Sequence, residues 1–144
     1  MKIYLDNCCF NRPFDDQSQL RIRLESEAKM QIQEEIRSGK YNLIWSYIMD
    51  YENSKNPFRE RREQIAKWRA YSTIDIEEDD EIIKVASMIH QRGIKNIDSV
   101  HIACAIKAKA DYFLTTDDGV LKKAILIQDI QITDPIGFIK EVLL

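Results

Sequence analysis

Short apolar runs alternate with helix-type patterns along this chain, and the alternation predicts an α/β fold. The first run, Met1 to Leu5, stops on the carboxylate of Asp6. Similar β-favouring segments occur at residues 41–45, 72–76, 112–116 and near 130–132. The segments between them are long enough for helical crossovers, which favours a mostly parallel sheet covered by helices on both faces.

Apolar spacing and capping residues predict the first helices. The longest should run from about Ser18 to Gly39, because apolar residues recur there at four-residue intervals and glycine suits the C-cap. Ser46 is predicted to cap a helix that carries Glu52 two turns later. A polar turn is expected over residues 11–16, between the first strand and the long helix.

The later helices are predicted from similar signals. Asn56 and Pro57 should be the N-cap and first residue of a helix that reaches about residue 70. The acidic stretch 77–81 should open a helix that ends at Gly93, since negative charge suits a helix N-terminus. An apolar helix is expected over 99–110. A short helix after Asp117 and a closing helix from Asp134 and Pro135 complete the prediction.

Composition narrows the class of protein. The 144 residues are 44% hydrophobic and 31% charged, which is typical of one folded domain, here 1–144. The net charge of −3 argues against a protein that coats nucleic acid non-specifically. No apolar run approaches the roughly 20 residues of a membrane span, and the N-terminus lacks a signal-peptide pattern. Three cysteines, an odd number, indicate a reduced cytoplasmic protein.

Four carboxylates fall at equivalent places in this layout. Asp6 and Asp117 end predicted strands, Glu52 lies early on a helix, and Asp98 lies at the start of the most apolar helix. Strand C-termini and helix N-termini share one edge of a parallel sheet, so the four can converge there. Any one of them alone is more ordinary as a helix cap or a solvated residue. Their common edge favours a site.

Clustered carboxylates indicate a particular chemistry. They raise one another's pKa values unless cations neutralise them. Oxygen ligands without His or Cys suit Mg²⁺ or Mn²⁺. One or two such ions would activate a water for displacement at phosphorus. Asp50 and Asp118 are alternative members of the set. Asp118, Asn7, Ser46 and Thr116 are predicted to support the metal ligands from outside.

Four segments of the chain resemble those of a known family: Ile3–Asp6, Ser46–Glu52, Asp98–Ala105 and Phe113–Asp117. In this order and spacing, the chain resembles the PIN-domain family of metal-dependent ribonucleases, nearest the VapC-type toxins of bacterial toxin–antitoxin pairs. The resemblance implies a five-stranded parallel sheet in an α/β/α sandwich. It also implies that the four acids bind Mg²⁺ or Mn²⁺ and cut single-stranded RNA to leave a 5′-phosphate. A homodimer and a small antitoxin partner are implied as well.

The chain departs from that family near its first acid. Asn7 stands where a small hydroxyl residue is usual, and Cys8–Asp16 is not the aliphatic continuation expected of the toxins. These departures point to a separate PIN-like branch. Arg12, Arg61 and Arg62 are candidates for RNA contact, although a solvated helix face explains the last two equally well.

Three other functions are alternatives to the ribonuclease. A catalytically silent PIN-like module that binds a protein partner or RNA is the main alternative. A phosphotransfer receiver would need adjacent acids after the first strand, and an aspartate-nucleophile phosphatase would need an acid where Cys8 stands. His90 and His101 are given no catalytic role, although His101 lies one turn past Asp98.

Overall fold

Five parallel strands form the central sheet in a computed structural model that describes residues 1–144. The strands are β1 (Lys2–Leu5), β2 (Asn42–Ser46), β3 (Ser72–Ile76), β4 (Tyr112–Leu114) and β5 (Gln131–Thr133). Their order across the sheet is β3-β2-β1-β4-β5. Tyr4 on the central strand lies opposite Ile44 on one side and Phe113 on the other. The carboxyl end of β1 is therefore flanked by those of β2 and β4.

Eight helices flank the sheet and confirm the three-layer α/β/α architecture. They are α1 (Asn7–Asn11), α2 (Leu20–Arg37), α3 (Tyr47–Ser54), α4 (Arg59–Ala66), α5 (Asp80–Gln91), α6 (Asn96–Lys107), α7 (Asp118–Lys123) and α8 (Pro135–Val142). Helix α2 packs against α8, and α5 packs against α6. No helix is long and apolar enough to cross a membrane.

The core lies where the sheet meets its helices. Ile3, Leu43 and Phe113 are completely buried, and each such side chain contributes roughly 1.5–3 kcal/mol by leaving water. On α6, Ala103 and Ala105 are buried too. Their small side chains let this helix approach its neighbours closely, and the same helix carries Asp98 towards the sheet edge.

Several capping predictions are confirmed. The Ser46 hydroxyl accepts the backbone N–H of Met49, and the Asp134 carboxylate accepts that of Gly137. Gly39 and Gly93 follow their helices with φ values of +82° and +98°. Only glycine adopts that left-handed region freely, so both helices end where the sequence indicated.

The predicted polar turn over 11–16 is wrong in part. Residues Asn7–Asn11 form helix α1, and Arg12–Phe14 continue as a 3-10 turn. The Asp6 carboxylate caps α1 by accepting the N–H of Asn7, and Cys9 and Phe10 are buried beneath it. An Asp cap followed by two apolar anchors outweighs the turn propensity of the later polar residues.

The predicted start of the fourth helix is also wrong. Helix α4 begins at Arg59, and the Asn56 side chain accepts the N–H of Phe58 in a turn before it. Residues Lys67–Tyr71 tighten into a 3-10 helix. The apolar helix α6 begins at Asn96, three residues earlier than expected, so Asp98 lies inside its first turn.

Candidate metal centre

Asp6 is the buried anchor of the candidate site. It follows β1, is 3% exposed, and its backbone N–H extends the ladder to the carbonyl of Leu114. One carboxylate oxygen accepts the hydroxyl of Thr115 at 2.9 Å, and the other accepts the N–H of Asn7 at 2.8 Å. Burial raises the pKa of Asp6, and the charge of Glu52 raises it further, while His101 and the two hydrogen bonds lower it. The carboxylate is thus held rigidly in a buried position that disfavours its charged form.

Glu52 and His101 meet Asp6 from two helices. Helix α3 carries Glu52 and α6 carries His101, whose Nε2 lies 2.6 Å from Glu52 Oε1 and 3.8 Å from Asp6 Oδ1. The potential ligand atoms of these three residues all lie within 4.8 Å of one another. Residues 6, 52 and 101 are distant in sequence, and the fold gathers them into a cluster that can bind a metal ion.

His101 is completely buried and held from behind. Its Nδ1 lies 2.6 Å from the hydroxyl of Tyr4, and that hydroxyl lies 2.6 Å from Ser46 Oγ. Burial lowers the pKa of His101, but the hydrogen bond to Glu52 and the charges of Asp6 and Glu52 outweigh it and raise the pKa overall. The raised pKa favours the protonated imidazole, whose Nε2–H donates to Glu52 and brings positive charge to the carboxylates.

Asp98 and Asp117 approach the same edge from the side of α7. They line one cavity of about 110 Å³, which also includes Lys95 and Lys123. Burial raises the pKa of Asp98 to about 6, and the charges of Asp6, Asp117 and Glu52 contribute in that order, against His101. Asp117 caps α7, since its Oδ1 accepts the N–H groups of Gly119 and Val120 at 2.7 and 3.2 Å. We call Asp6, Glu52, Asp98 and Asp117 the acidic edge.

The four residues expected to support the ligands lie in different surroundings. Asn7 holds Asp6 through its backbone, and its side-chain Oδ1 is buried without a hydrogen-bond partner. Ser46 reaches the site only through Tyr4. The Thr116 N–H donates to Cys8 Sγ. Asp118 turns away to Arg21, whose guanidinium holds the pKa of that carboxyl below its usual range.

Two residues at the site lie outside the predicted set of ligands and supporting residues. Thr115 binds Asp6, whereas the neighbouring Thr116 was the predicted support. His101, which lies one turn past Asp98 in the sequence, has no predicted catalytic role, and the structure places it against Glu52. Residues three apart on a helix share one face, so a helix that delivers Asp98 to the edge can deliver His101 as well.

The three candidate RNA-binding arginines are all engaged within the chain. Arg12 pairs with Glu25 at 3.0 Å and with Asp15 at 3.1 Å. Arg61 pairs with the same Asp15 at 3.2 Å. Arg62 donates to a backbone carbonyl, that of Asn56. Each is thus held in place by the protein, and none is a free surface cation.

Arg61 also lies beside the acidic edge. Its guanidinium carbon is 4.7 Å from the ring centroid of Phe58 and 5.6 Å from that of Phe14, and both rings are exposed. A cavity of about 340 Å³ connects this group with Glu52 and Asn7. A cationic and aromatic surface therefore adjoins the acidic edge.

The donor set fits a hard divalent cation. Carboxylate oxygens predominate. The charge of Glu52 contributes to the raised pKa of Asp6, and the charges of Asp6, Asp117 and Glu52 contribute to that of Asp98, a repulsion that a cation would relieve. The unpartnered Oδ1 of Asn7 offers a further oxygen beside Asp6. His101, whose Nε2 donates to Glu52 Oε1, orients that carboxylate for the ion.

Comparison with known proteins supports the fold. No protein-family model matches the chain, and no curated protein is similar to it in sequence. Among solved structures, the chain is similar to one in the crystal structure of VapBC2 from Rickettsia felis bound to a DNA fragment from its promoter. The TM-score is 0.56 at 14% identity, over 93% of this chain and 98% of the other. The likeness therefore shows a shared fold, and the architecture of this chain is PIN-like.

Proposed function

We propose that the protein is a Mg²⁺- or Mn²⁺-dependent endoribonuclease that cuts single-stranded RNA and leaves a 5′-phosphate. The observation that carries the proposal is the cluster at the sheet edge, where potential ligand atoms of Asp6, Glu52 and His101 lie within 4.8 Å of one another. The charges of Asp6, Asp117 and Glu52 also help to raise the pKa of the nearby Asp98 to about 6. Four acids remote in sequence thus share one electrostatic field. A fold under no functional demand would avoid that repulsion.

The acidic edge would hold the cation. When bound, the ion would lower the pKa of a water molecule and stabilise charge on the leaving oxygen. The chain's own residues prepare the geometry. Thr115 and the Asn7 backbone fix the Asp6 carboxylate, and His101 orients Glu52 by a 2.6 Å hydrogen bond. Preorganised ligands reduce the reorganisation that binding requires.

RNA would reach this edge across the surface formed by Phe14, Phe58 and Arg61. Exposed aromatic rings stack on bases regardless of sequence, and a nearby guanidinium attracts phosphates. Arg61 lies beside both rings and shares a cavity with Glu52. Arg12 and Arg62 would act mainly by holding this surface in place, because both are committed to partners within the chain.

Partners and organisation belong to the same proposal. We infer a single domain over residues 1–144, since strands from both ends of the chain join one sheet. The similar structure is a VapBC2 complex with promoter DNA, which supports a toxin role with an antitoxin that covers the acidic edge. A homodimer and a cytoplasmic location follow from that role.

A catalytically silent PIN-like module is the second candidate, and two contacts favour it. His101 already neutralises Glu52, and Asp117 already caps α7. Both carboxylates therefore have structural roles that need no metal ion. A silent module would retain RNA or protein binding and lose nothing when Asp6 is changed.

Cleavage of a 5′-labelled single-stranded RNA in the presence of Mn²⁺ separates the two candidates. Asp6→Asn and Asp98→Asn should each reduce the rate by at least about 100-fold, more than the 10–100-fold typical of residues outside the ligand shell. Asp118→Asn is the matched control, because that acid pairs with Arg21, and its rate should stay near that of the wild type. Cleavage that survives Asp6→Asn, or that never occurs with any divalent ion, would contradict the nuclease proposal.

A further inference from the structure

A third cavity, of about 200 Å³, lies between helices α2 and α4. Phe10, Pro13, Phe14, Met30, Ile65 and Trp68 supply its apolar walls, and the remaining lining residues are Lys29, Gln33, Arg37 and Gln64. No acidic residue lines it. The volume is below the roughly 300–1,000 Å³ of pockets for drug-sized ligands, so the cavity suits a small molecule.

Lys29 is the unusual member of this lining. Its side chain is 3% exposed, yet no carboxylate pairs with it, and Gln33 Oε1 is its only hydrogen-bond partner. An ammonium group has three donors, so two remain without an acceptor. Buried lysines are almost always paired. This one lacks the anion that would complete it.

The groups around Lys29 do not supply that anion. The ammonium lies 4.9 Å from the ring centroid of Phe10 and 5.3 Å from that of Trp68. Cation–π contacts of this kind offset only part of the cost of burial. Burial also raises the pKa of the Cys9 thiol well above its usual value, so the neighbouring sulfur stays uncharged. Arg37 stacks 4.8 Å from the Trp68 ring and adds positive charge at the rim, where it also pairs with Glu34 at 2.5 Å.

Titration of Lys29 agrees with this geometry. Burial lowers the pKa of Lys29 to about 7, and the charge of Arg37 lowers it further. A protonated amine at neutral pH is therefore costly in the empty cavity, and an anion beside it would remove that cost.

We propose that this cavity is a binding site for a small aromatic carboxylate, whose anionic group pairs with Lys29 and whose ring packs between Phe10, Phe14 and Trp68. The charge of the lining is complementary to an anion, and its walls are complementary to a flat apolar ring. The site is separate from the acidic edge and does not depend on nuclease activity. Phe14 is one link between the two regions, since it lies against Arg61 as well.

Benzoate is the test ligand, with benzamide as its uncharged analogue and acetate as an anion without a ring. The indole N–H signal of Trp68 should shift saturably with benzoate in a ¹H–¹⁵N NMR titration. The signal of Trp45, whose ring reaches the cavity only through Phe10 at 5.5 Å, should shift less. Benzamide and acetate should both bind roughly tenfold or more weakly. Equal binding of benzoate and benzamide would overturn the assignment of Lys29 as the anion partner.

Two variants keep the proposal falsifiable. Lys29→Met preserves the length and apolar stem of the side chain, so it should fold and lose benzoate binding. Lys84→Met is the control, because it removes one exposed lysine of α5 outside the cavity. Should Lys29→Met fail to fold, Gln64→Trp at the exposed rim should block the same titration. Unchanged benzoate affinity in Lys29→Met or in Gln64→Trp, or no saturable shift in the wild type, would refute the site.

Discussion

The acidic edge and the charged network around Arg12 treat buried charge in opposite ways, although Asp6 and Arg12 are only six positions apart. In the network, the fully buried Glu25 contacts Arg12 at 3.0 Å and Arg21 at 3.5 Å. At the acidic edge, four carboxylates share one imidazole, and the pKa values of Asp6 and Asp98 are raised. Paired charges hold a fold together. Like charges gathered at one edge indicate a site that awaits a cation.

Breaking the network should have the largest effect on stability. Arg12→Met removes the closer partner of Glu25, one of whose oxygens is already buried without a hydrogen bond. Loss of one partner from a buried ion pair typically costs about 3–5 kcal/mol. We expect the free energy of unfolding to fall by about 3 kcal/mol in urea denaturation. Arg59→Met, which breaks an exposed pair with Glu63, should change it by less than about 0.5 kcal/mol. Similar losses in both variants would show that the buried pair with Glu25 contributes no more to stability than an exposed pair does.

Removing charge from the acidic edge should have a smaller effect of opposite sign. The pKa of Asp98 is raised to about 6 from its usual 3.8, so the folded state binds more protons between those values. The free energy of unfolding of metal-free protein therefore falls as pH rises through that window and levels off above it. Asp98→Asn should lack this fall and be about 1–2 kcal/mol more stable at pH 7.5, allowing for partial solvent screening.

The control for that prediction lies one residue beyond Asp117. The pKa of Asp118 is lowered by Arg21, so this carboxylate stabilises the fold above its usual pKa and loses that effect as pH falls. Asp118→Asn should consequently lose stability at pH 7.5 and not gain it. Denaturation curves in EDTA at pH 4 and pH 7.5 measure both variants. Destabilisation by Asp98→Asn would contradict the repulsion inferred at the edge.

The smallest effect concerns RNA affinity. Arg61→Met should reduce the slope of log binding constant against log salt by about 0.7, the value for one phosphate contact on a single strand. Arg59 lies on the same helix but pairs with Glu63 and is far more exposed, so Arg59→Met should leave the slope unchanged. Fluorescence anisotropy with Asp6→Asn protein as the background avoids cleavage. Equal slopes for the Asp6→Asn background and for its Arg61→Met and Arg59→Met derivatives would show that Arg61 contacts no phosphate and has only a structural role.

The fold could be predicted largely from sequence because its signals are local. Ser46 and Asp134 cap helices, Gly39 and Gly93 end them, and the apolar runs are short. The region 7–16 could not be predicted. Its helix depends on burial of Phe10 against α2 as well as on the cap by Asp6, and no local pattern reveals that burial.

The candidate site could likewise be predicted from sequence only in part. The acids could be proposed from their positions at strand and helix ends. The partners could not, because they depend on packing between distant elements. His101 reaches Glu52 only when α6 packs beside α3, and Thr115, not its neighbour Thr116, binds Asp6 because of how the segment after β4 turns. The burial of Lys29 could not be predicted either, because this residue lies within an ordinary amphipathic helix pattern.

Binding of Mn²⁺, measured by isothermal titration calorimetry with the melting temperature as a second readout, tests the acidic edge most directly. Wild-type protein and Asp118→Asn should bind the ion and gain about 2.7 kcal/mol of stability at one hundred times the dissociation constant. Asp6→Asn, combined with Asp98→Asn, should show neither heat of binding nor a rise in melting temperature. Mn²⁺ binding of equal strength in the double variant, or none in the wild type, would contradict the claim that these carboxylates form a cation site.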